Sequence, residues 1–437
     1  MEPIKEEEKN NTISRRKFIG SAAALSAFFI VPRHVLGGVG YMAPSDKITL
    51  GWIGAGRQGL FLQSAFLKTG EAQIVGVSDV YKTKVDNFIG ITNQFYAQAG
   101  GQSGYKGCTG YNNFTEMLER KDIDAVVVAT PDHWHAAVTV RAAAAGKDIY
   151  SEKPLSLTVK EGRAMVDAVR KYKRVFQTGS MQRSAEEFRQ TAELIRNGYL
   201  GQIKNIKVSI DGPPVPYNLP EEPLPAGLDW DLWLGPNEFV HYNHLLDPVI
   251  GDPAWGKWRD YKGLGGGDMT DWGAHMFDIV QWALDMDSSG PVEVTPPDGK
   301  EYQHLTYKYA NGIVMTHENF GKNHGIQFNG TEGTLEIQRK HLSTTPAALA
   351  TKQIGGNDKR VYFSDNHYKD FLNAIRKRSM PIADIETGHR SATVCNIGNI
   401  AYELKVPLKW NPVKEKFDND KANALLGRKM KKEWAVI

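Results

Sequence analysis

The sequence predicts an α/β protein in two parts: a parallel sheet wrapped by helices, then an α/β part with an open, mostly antiparallel sheet. Three observations carry this. A strand–glycine–helix–strand unit begins at KITLGWIGAGRQG. The apolar strand DAVVVAT and the strand DIYSEKP alternate with helical stretches behind it. Further on the apolar period changes to two, in GPVEVT, HLTYKYANGIVMTHEN and GIQFNGTEGTLEIQ.

The first unit reads as follows. Residues 47 to 53 form a strand, and Gly54, Gly56 and Gly59 complete G-x-G-x-x-G before the helix LFLQSAFLKTG. A second strand, QIVGVSD, ends at Asp79, twenty residues past Gly59. In this arrangement Gly54 allows the tight turn, Gly56 lets backbone approach a pyrophosphate, and Gly59 lets helix and strand pack closely. The helix N-terminus offers N–H donors to phosphate, and Asp79 offers a carboxylate to the ribose hydroxyls. This is the signature of a Rossmann domain that binds a dinucleotide. Asp79 would repel a 2′-phosphate and no arginine follows it, so NAD is favoured over NADP, with Lys82 and Lys84 arguing the other way.

DAVVVAT, closed by Pro131 and Asp132, is apolar throughout, as a parallel strand covered on both faces must be. A helix from His135 to Ala145 follows, then DIYSEKP. Glu152 and Lys153 therefore fall at the carboxyl end of a parallel strand, where open α/β sheets place their ligands. Pro154 fixes the backbone there and is a candidate cis-proline. The DHWH of residues 132–135 invites a metal reading. Histidines at i and i+2 do not share a helix face, and no carboxylate or cysteine cluster stands nearby, so these residues are read as cleft lining and no metal is expected.

In the second part, VFQTGSMQRSAEEFRQTAELIRNGYLGQIKNIKVSI reads strand, loop, helix, turn, strand. Gln182 and Arg183, just past the first of these strands, are expected to face a substrate. GGGDMTDWGAHMFDIVQWALDM reads as a glycine-led helix from about Met269, on which Asp271 and His275 stand at i and i+4 and meet on one face. A carboxylate there favours the protonated imidazole and fixes its orientation. Taken alone, the pair reads first as a capping Asp and a core histidine. HYKDFLNAIRKR and the stretch from Glu386 to Leu404 read as further helices.

Composition bounds the rest. At 437 residues the chain exceeds one ordinary core, and 41% hydrophobic with 24% charged residues is globular usage. A net charge of +3 without a basic run argues against nucleic acid. Two distant cysteines make neither a disulfide framework nor a zinc cluster. Near the start, SRRKFIG leads into an apolar run of 14 residues, Phe18 to Val31, too short to span a membrane. Twin arginines before such a run resemble a twin-arginine (Tat) export signal, which implies a periplasmic protein exported folded, with no stable membrane insertion. The expected divisions are a signal segment 1–38, a Rossmann NAD-binding domain 46–172, a substrate and oligomerisation domain 173–364, and C-terminal helices and tail 365–437 packing back on the core.

Taken together, GWIGAGRQG, VVVATPDHWH, SEKPLS, GYLGQI and GGGDMTDWGAHMFD resemble the glucose–fructose oxidoreductase/inositol dehydrogenase (Gfo/Idh/MocA) family. The resemblance covers roughly residues 47 to 415. It implies an N-terminal Rossmann domain plus a C-terminal α/β domain whose open, mostly antiparallel sheet serves homo-oligomerisation. It also implies NAD as cofactor, held through Gly54, Gly56, Arg57, Gln58 and Gly59 on one side and Asp79, Thr130, Pro131, His135, Glu152 and Lys153 on the other. By the family's pattern Lys153 binds the reacting hydroxyl and steadies its alkoxide. His275 takes the proton, and Asp271 binds a neighbouring hydroxyl or steers the imidazole. The weaker alternative is that Lys153 only pairs with Glu152. Trp258 and Trp272, among ten tryptophans, are candidates to stack on a sugar ring, although packing is the commoner use of any one indole. The function implied is oxidation of a ring hydroxyl of a sugar or glycoside. The alternative is an NAD-dependent glycosidase like glycoside hydrolase family 109, from which the D-x-x-x-H of this helix sets the chain apart. A non-catalytic sugar binder with structural NAD is disfavoured by the intact Lys, Asp and His.

Overall fold

The computed structural model describes residues 46–100 and 107–437. The signal segment read at residues 1–38 lies outside them. Ile48–Ile437 forms one compact unit.

Six parallel strands make the first sheet, in the order β3-β2-β1-β4-β5-β6. They are β1 Ile48–Ile53, β2 Ala72–Ser78, β3 Thr109–Tyr111, β4 Ala125–Val128, β5 Asp148–Ser151 and β6 Phe176–Thr178. The order reverses between β1 and β4, which opens a crevice at their carboxyl ends. β4 reads AVVV with every residue buried, because helices cover both its faces. One face is packed by α1 (Arg57–Thr69) and α2 (Lys82–Gly100). α1 ends where Gly70 takes a φ of 70°, as a left-handed C-cap requires. α3 (Phe114–Leu118), α4 (His135–Ala144) and α5 (Val159–Lys171) pack the other face. Sequence reading passed over α5, although Thr158 caps it by accepting from the Glu161 N–H, with Glu161 in the first turn.

The second sheet has nine strands in the order β13-β12-β11-β7-β10-β9-β8-β14-β15. β7 (Ile203–Ser209) and β10 (Val314–His317) pair in parallel, and the other pairings are antiparallel. β8 Glu293–Thr295, β9 Leu305–Lys308, β11 Gly325–Gly330 and β12 Thr334–Gln338 lie where the period-two runs placed them. β13 (His341–Thr345), β14 (Leu408–Asn411) and β15 (Lys416–Phe417) extend the two edges. α6 (Glu186–Arg196) follows the first sheet, and the short α7 (Trp230–Leu234) lies in the aromatic region beyond β7.

The glycine-led helix is two helices, α8 Asp268–Asp271 and α9 Gly273–Ala283. The cause lies at Asp271, whose main-chain carbonyl accepts a bond from Lys153 Nζ at 3.0 Å while the His275 N–H bonds Trp272 instead. All eleven residues of α9 are buried, between the sheet and later helices. Burial of Met276, Phe277, Ile279, Val280 and Trp282 contributes roughly 1.5–3 kcal/mol each, which anchors the helix that carries His275.

The last helices return to the first sheet. α10 (His367–Lys377) places Phe371 and Leu372 in the α1 face, and α11 (Ile385–Leu404) contributes to both the α5 face and the second core. Arg428, near the chain's end, bonds Glu161, Asn237 and the His133 carbonyl. No helix among the described residues is long and apolar enough to cross a membrane.

Candidate active site

A cleft of about 1010 Å³ lies outside the carboxyl ends of β1, β4 and β5. Its near wall is the glycine turn. Gly54 has a φ of 96°, and a Cβ there would meet the Ala129 carbonyl at 2.6 Å. A Cβ on Gly59 would stand 2.2 Å from the Gly54 carbonyl oxygen. At Gly56 nothing lies within 4 Å of the Cβ position, so the backbone faces open space at the start of α1. That helix has no side-chain cap and no acidic residue in its first turn. Its leading N–H donors are thus kept for an anion.

Asp79 closes this end. Its carboxylate accepts from the N–H groups of Ala55 at 2.7 Å and Tyr81 at 2.9 Å. Burial pushes its pKa up while the Lys84 cation opposes the rise. Lys84 itself pairs with Asp247 at 2.5 Å, and Lys82 with Asp86 at 2.6 Å. The Lys84 pair is buried, whereas the Lys82 pair is exposed on the surface of α2. Arg57, Gln58, Thr130, Pro131, Glu152 and Lys153 line the cleft too, and Thr130 Oγ1 is buried without a partner. Open backbone at a bare helix N-terminus, a carboxylate at the end of β2 and a vacant buried hydroxyl fit a dinucleotide.

The histidines of DHWH are a correction. Neither is among the lining residues, where Asp132 and Trp134 stand instead. His133 contacts the Leu264 and Trp233 carbonyls at 3.2 and 2.9 Å. His135 contacts Pro154 O at 2.8 Å and Thr130 O at 3.1 Å, joining the β4 and β5 loops across the cis Lys153–Pro154 bond. Burial lowers their pKa values to about 3 and about 4. Both rings are held by main-chain carbonyls at each nitrogen, contacts that oppose the effect of burial, and both are structural.

The deep end gathers residues from distant parts of the chain. Lys153, past β5, gives Nζ to both the side chain and the carbonyl of Asp271. Glu152 is not its partner. Glu152 is buried against Gly179, with Oε1 unpaired. Arg259 approaches Asp271 at 3.7 Å from between Trp255 and Trp258. Burial would push the Asp271 carboxyl up, but Lys153 and Arg259 hold it well below the usual range. His275 lines the same cleft, with Nδ1 buried and unpartnered. Burial first, then the Lys153 cation, lowers its pKa well below an ordinary imidazole, against the pull of Asp271. The ring is therefore a neutral acceptor near pH 7 rather than the protonated form read from its Asp271 spacing. Asp271 also makes no hydrogen bond to it.

Trp272 lines the cleft between two partners, stacked on His324 with centroids 3.8 Å apart and under the Arg339 guanidinium at 4.4 Å. Trp258 is buried beneath Arg259. Gln182 is buried outside the lining, its amide atoms unpaired among the described residues. Arg183 is corrected outright. It is 1% exposed and forks onto Asp278 at 2.8 Å and Asp287 at 2.7–2.9 Å. It ties α9 to the turn after β6 and touches no substrate space. Arg259 and Arg339 were missed, since they come from loops whose only common feature is this cleft.

Residues 48–180 match the family model described as the oxidoreductase family's NAD-binding Rossmann fold, and residues 214–436 match its C-terminal alpha/beta domain. The rhizopine catabolism protein MocA of Rhizobium meliloti is 26% identical over 236 residues, 54% of this chain and 57% of that protein. A glycosyl hydrolase family 109 protein of Shewanella putrefaciens is 26% identical over 211 residues, 44% of this chain and 45% of that protein. The chain thus spans about half the length of these curated relatives. The aldose-aldose oxidoreductase of Caulobacter crescentus shares the fold with a TM-score of 0.57 at 19% identity, covering 83% of this chain and 99% of that one.

Proposed function

We propose that this chain, which belongs to the Gfo/Idh/MocA oxidoreductase family, oxidises a ring hydroxyl of a sugar or glycoside with NAD, after export to the periplasm. The observation that carries the reading is the meeting of Lys153, Asp271 and His275 in the dinucleotide cleft. Bound NAD would supply the hydride acceptor, held by Gly54, Gly56, Gly59, Asp79 and Thr130. The chain's own residues do the proton work. Neutral His275 accepts the hydroxyl proton, and the Lys153 ammonium stabilises the oxygen left behind. Asp271 keeps Lys153 aimed into the cleft. Trp272, with Arg339 above it, offers an edge for a sugar ring.

The test is NADH formation by purified protein with a panel of methyl glycosides and free sugars, with aglycone release followed in parallel. Aglycone release without net NADH would favour the second reading, a hydrolase of the family 109 kind, which the similarity to the Shewanella protein supports. The aldose-aldose oxidoreductase, by its name a sugar-to-sugar enzyme, suits a cofactor kept in place and reoxidised by a second substrate.

NAD is preferred over NADP in this reading, because Asp79 at the end of β2 would face the ribose and the buried Lys84 is paired with Asp247. Asp79→Ala should weaken NAD more than NADP. Titration calorimetry on cofactor-stripped protein checks this, and an equal loss for both would refute it. Export rests on the twin arginines. Replacing Arg15 and Arg16 by lysine should leave precursor in the cytoplasm, and normal export of that variant would remove the localisation. The nine-stranded sheet is the proposed face for a homo-oligomer.

Asp271→Asn weakens the tie to Lys153. It should lower kcat more than it raises KM if Asp271 acts only through the lysine. A rise in KM alone would make it a substrate contact.

A further inference from the structure

We propose that Asp132 is a substrate-contacting acid, a carboxyl on the cleft wall that holds a second oxygen of the substrate beside the Lys153–His275 pair. This rests on the oxidoreductase reading above. Asp132 begins the short 3-10 turn Asp132–Trp134 just past β4, so the strand's carboxyl end delivers it to the cleft it lines with Lys153, Asp271 and His275. It is 4% exposed, and its carboxyl has no hydrogen-bond partner among the described residues. The ordinary use of an aspartate here would be to cap the turn or α4, and it makes no such bond. A carboxyl with no protein partner is free to bind a group that enters beside it. The open side of this one is the cleft.

The charged groups facing it are the cations of Arg259 and Lys153 and the carboxylate of Asp271. Both cations already serve Asp271. Asp132 therefore faces these cations together with Asp271 and forms an ion pair with neither of them. Burial first, reinforced by Asp271 and opposed by Arg259 and Lys153, raises its pKa to about 8. Around neutrality the group carries its proton. A protonated carboxyl both donates and accepts, which matches a hydroxyl, whereas a carboxylate only accepts. The sign follows: ionisation as pH rises past that value removes the donor and sets a second carboxylate beside Asp271.

The experiment compares wild type, Asp132→Asn, Asp132→Ala and Lys153→Met, each loaded with NAD, on methyl glycosides of the common hexoses between about pH 6 and 10. NAD affinity serves as the folding control. Asp132→Ala should lose roughly 10–100-fold in kcat/KM, chiefly through KM. Asp132→Asn keeps a donor and an acceptor, so it should lose less, and the alkaline fall of the wild type should vanish in it. A wild-type KM in Asp132→Ala, or an unchanged alkaline limb in Asp132→Asn, would overturn the proposal. Carbon-13 NMR of the wild-type carboxyls, assigned by Asp132→Asn, gives a readout free of turnover, and an ionised Asp132 at neutral pH would also overturn it. Wild-type rates in Lys153→Met would bring down the parent reading instead, and a wild type that reduces no NAD on any sugar would remove both.

Discussion

Lys153→Met and His275→Ala are each expected to bind NAD and remain folded while losing most turnover. The two residues reach the cleft from β5 and from α9, and neither bonds the glycine turn that would hold the cofactor. Loss of the general base should cost roughly 10²–10⁴-fold in kcat. Loss of the ammonium should cost roughly 10²–10³-fold, the scale of one removed donor to a developing oxyanion. Lys153→Met has a second consequence, since the Asp271 carboxylate and carbonyl both lose their donor. Removing that cation also removes one of the causes that lower the imidazole pKa. Single-turnover NADH formation separates the chemical step from release. The acid limb of kcat/KM should lie below the ordinary histidine range, because burial and Lys153 keep His275 neutral there. An acid limb at or above that range, or wild-type rates in both variants, would contradict the roles assigned.

Arg183→Met should act on folding. The guanidinium is shut from solvent and is the donor for the two carboxylates of Asp278 and Asp287. Asp278 is 1% exposed and would keep only the Ser391 hydroxyl, which donates to it at 2.7 Å. Breaking such a pair from one side costs roughly 3–5 kcal/mol, because a charge stays buried without its counter-ion. The denaturation midpoint should fall by that measure with no rise in KM for the folded fraction. A wild-type midpoint with a raised KM would return Arg183 to the substrate list.

The cofactor half of this protein was legible as text. KITLGWIGAGRQG and the Asp79 that follows encode strand, turn, helix and acid within one local unit. Each glycine has a steric reason that needs no distant residue beyond the adjoining strand, as the 2.2 Å approach of a Gly59 Cβ to Gly54 shows. The period-two strands were equally local, because alternation records which face of a sheet is covered. The last strands, β14 and β15, were not read from the sequence, and β15 has only two residues to carry a pattern.

What the tertiary structure alone decided is partnership. Asp271 and His275 stand four apart, which predicts a pair on one helix face. Yet Asp271 turns to Lys153, 118 residues away, and the helix opens at Trp272 to let it. Arg183 departs from its expected place for the same reason. Arg183 follows a strand end, as site residues do, but meets two buried carboxylates. Of the DHWH residues read as cleft lining, Asp132 and Trp134 do line it, while both histidines turn to main-chain carbonyls. Local sequence fixes backbone shape, because dihedral preferences and burial periodicity act over a few residues. The charge and protonation of a side chain depend on which other charges the fold brings within a few ångströms, whatever their distance along the chain.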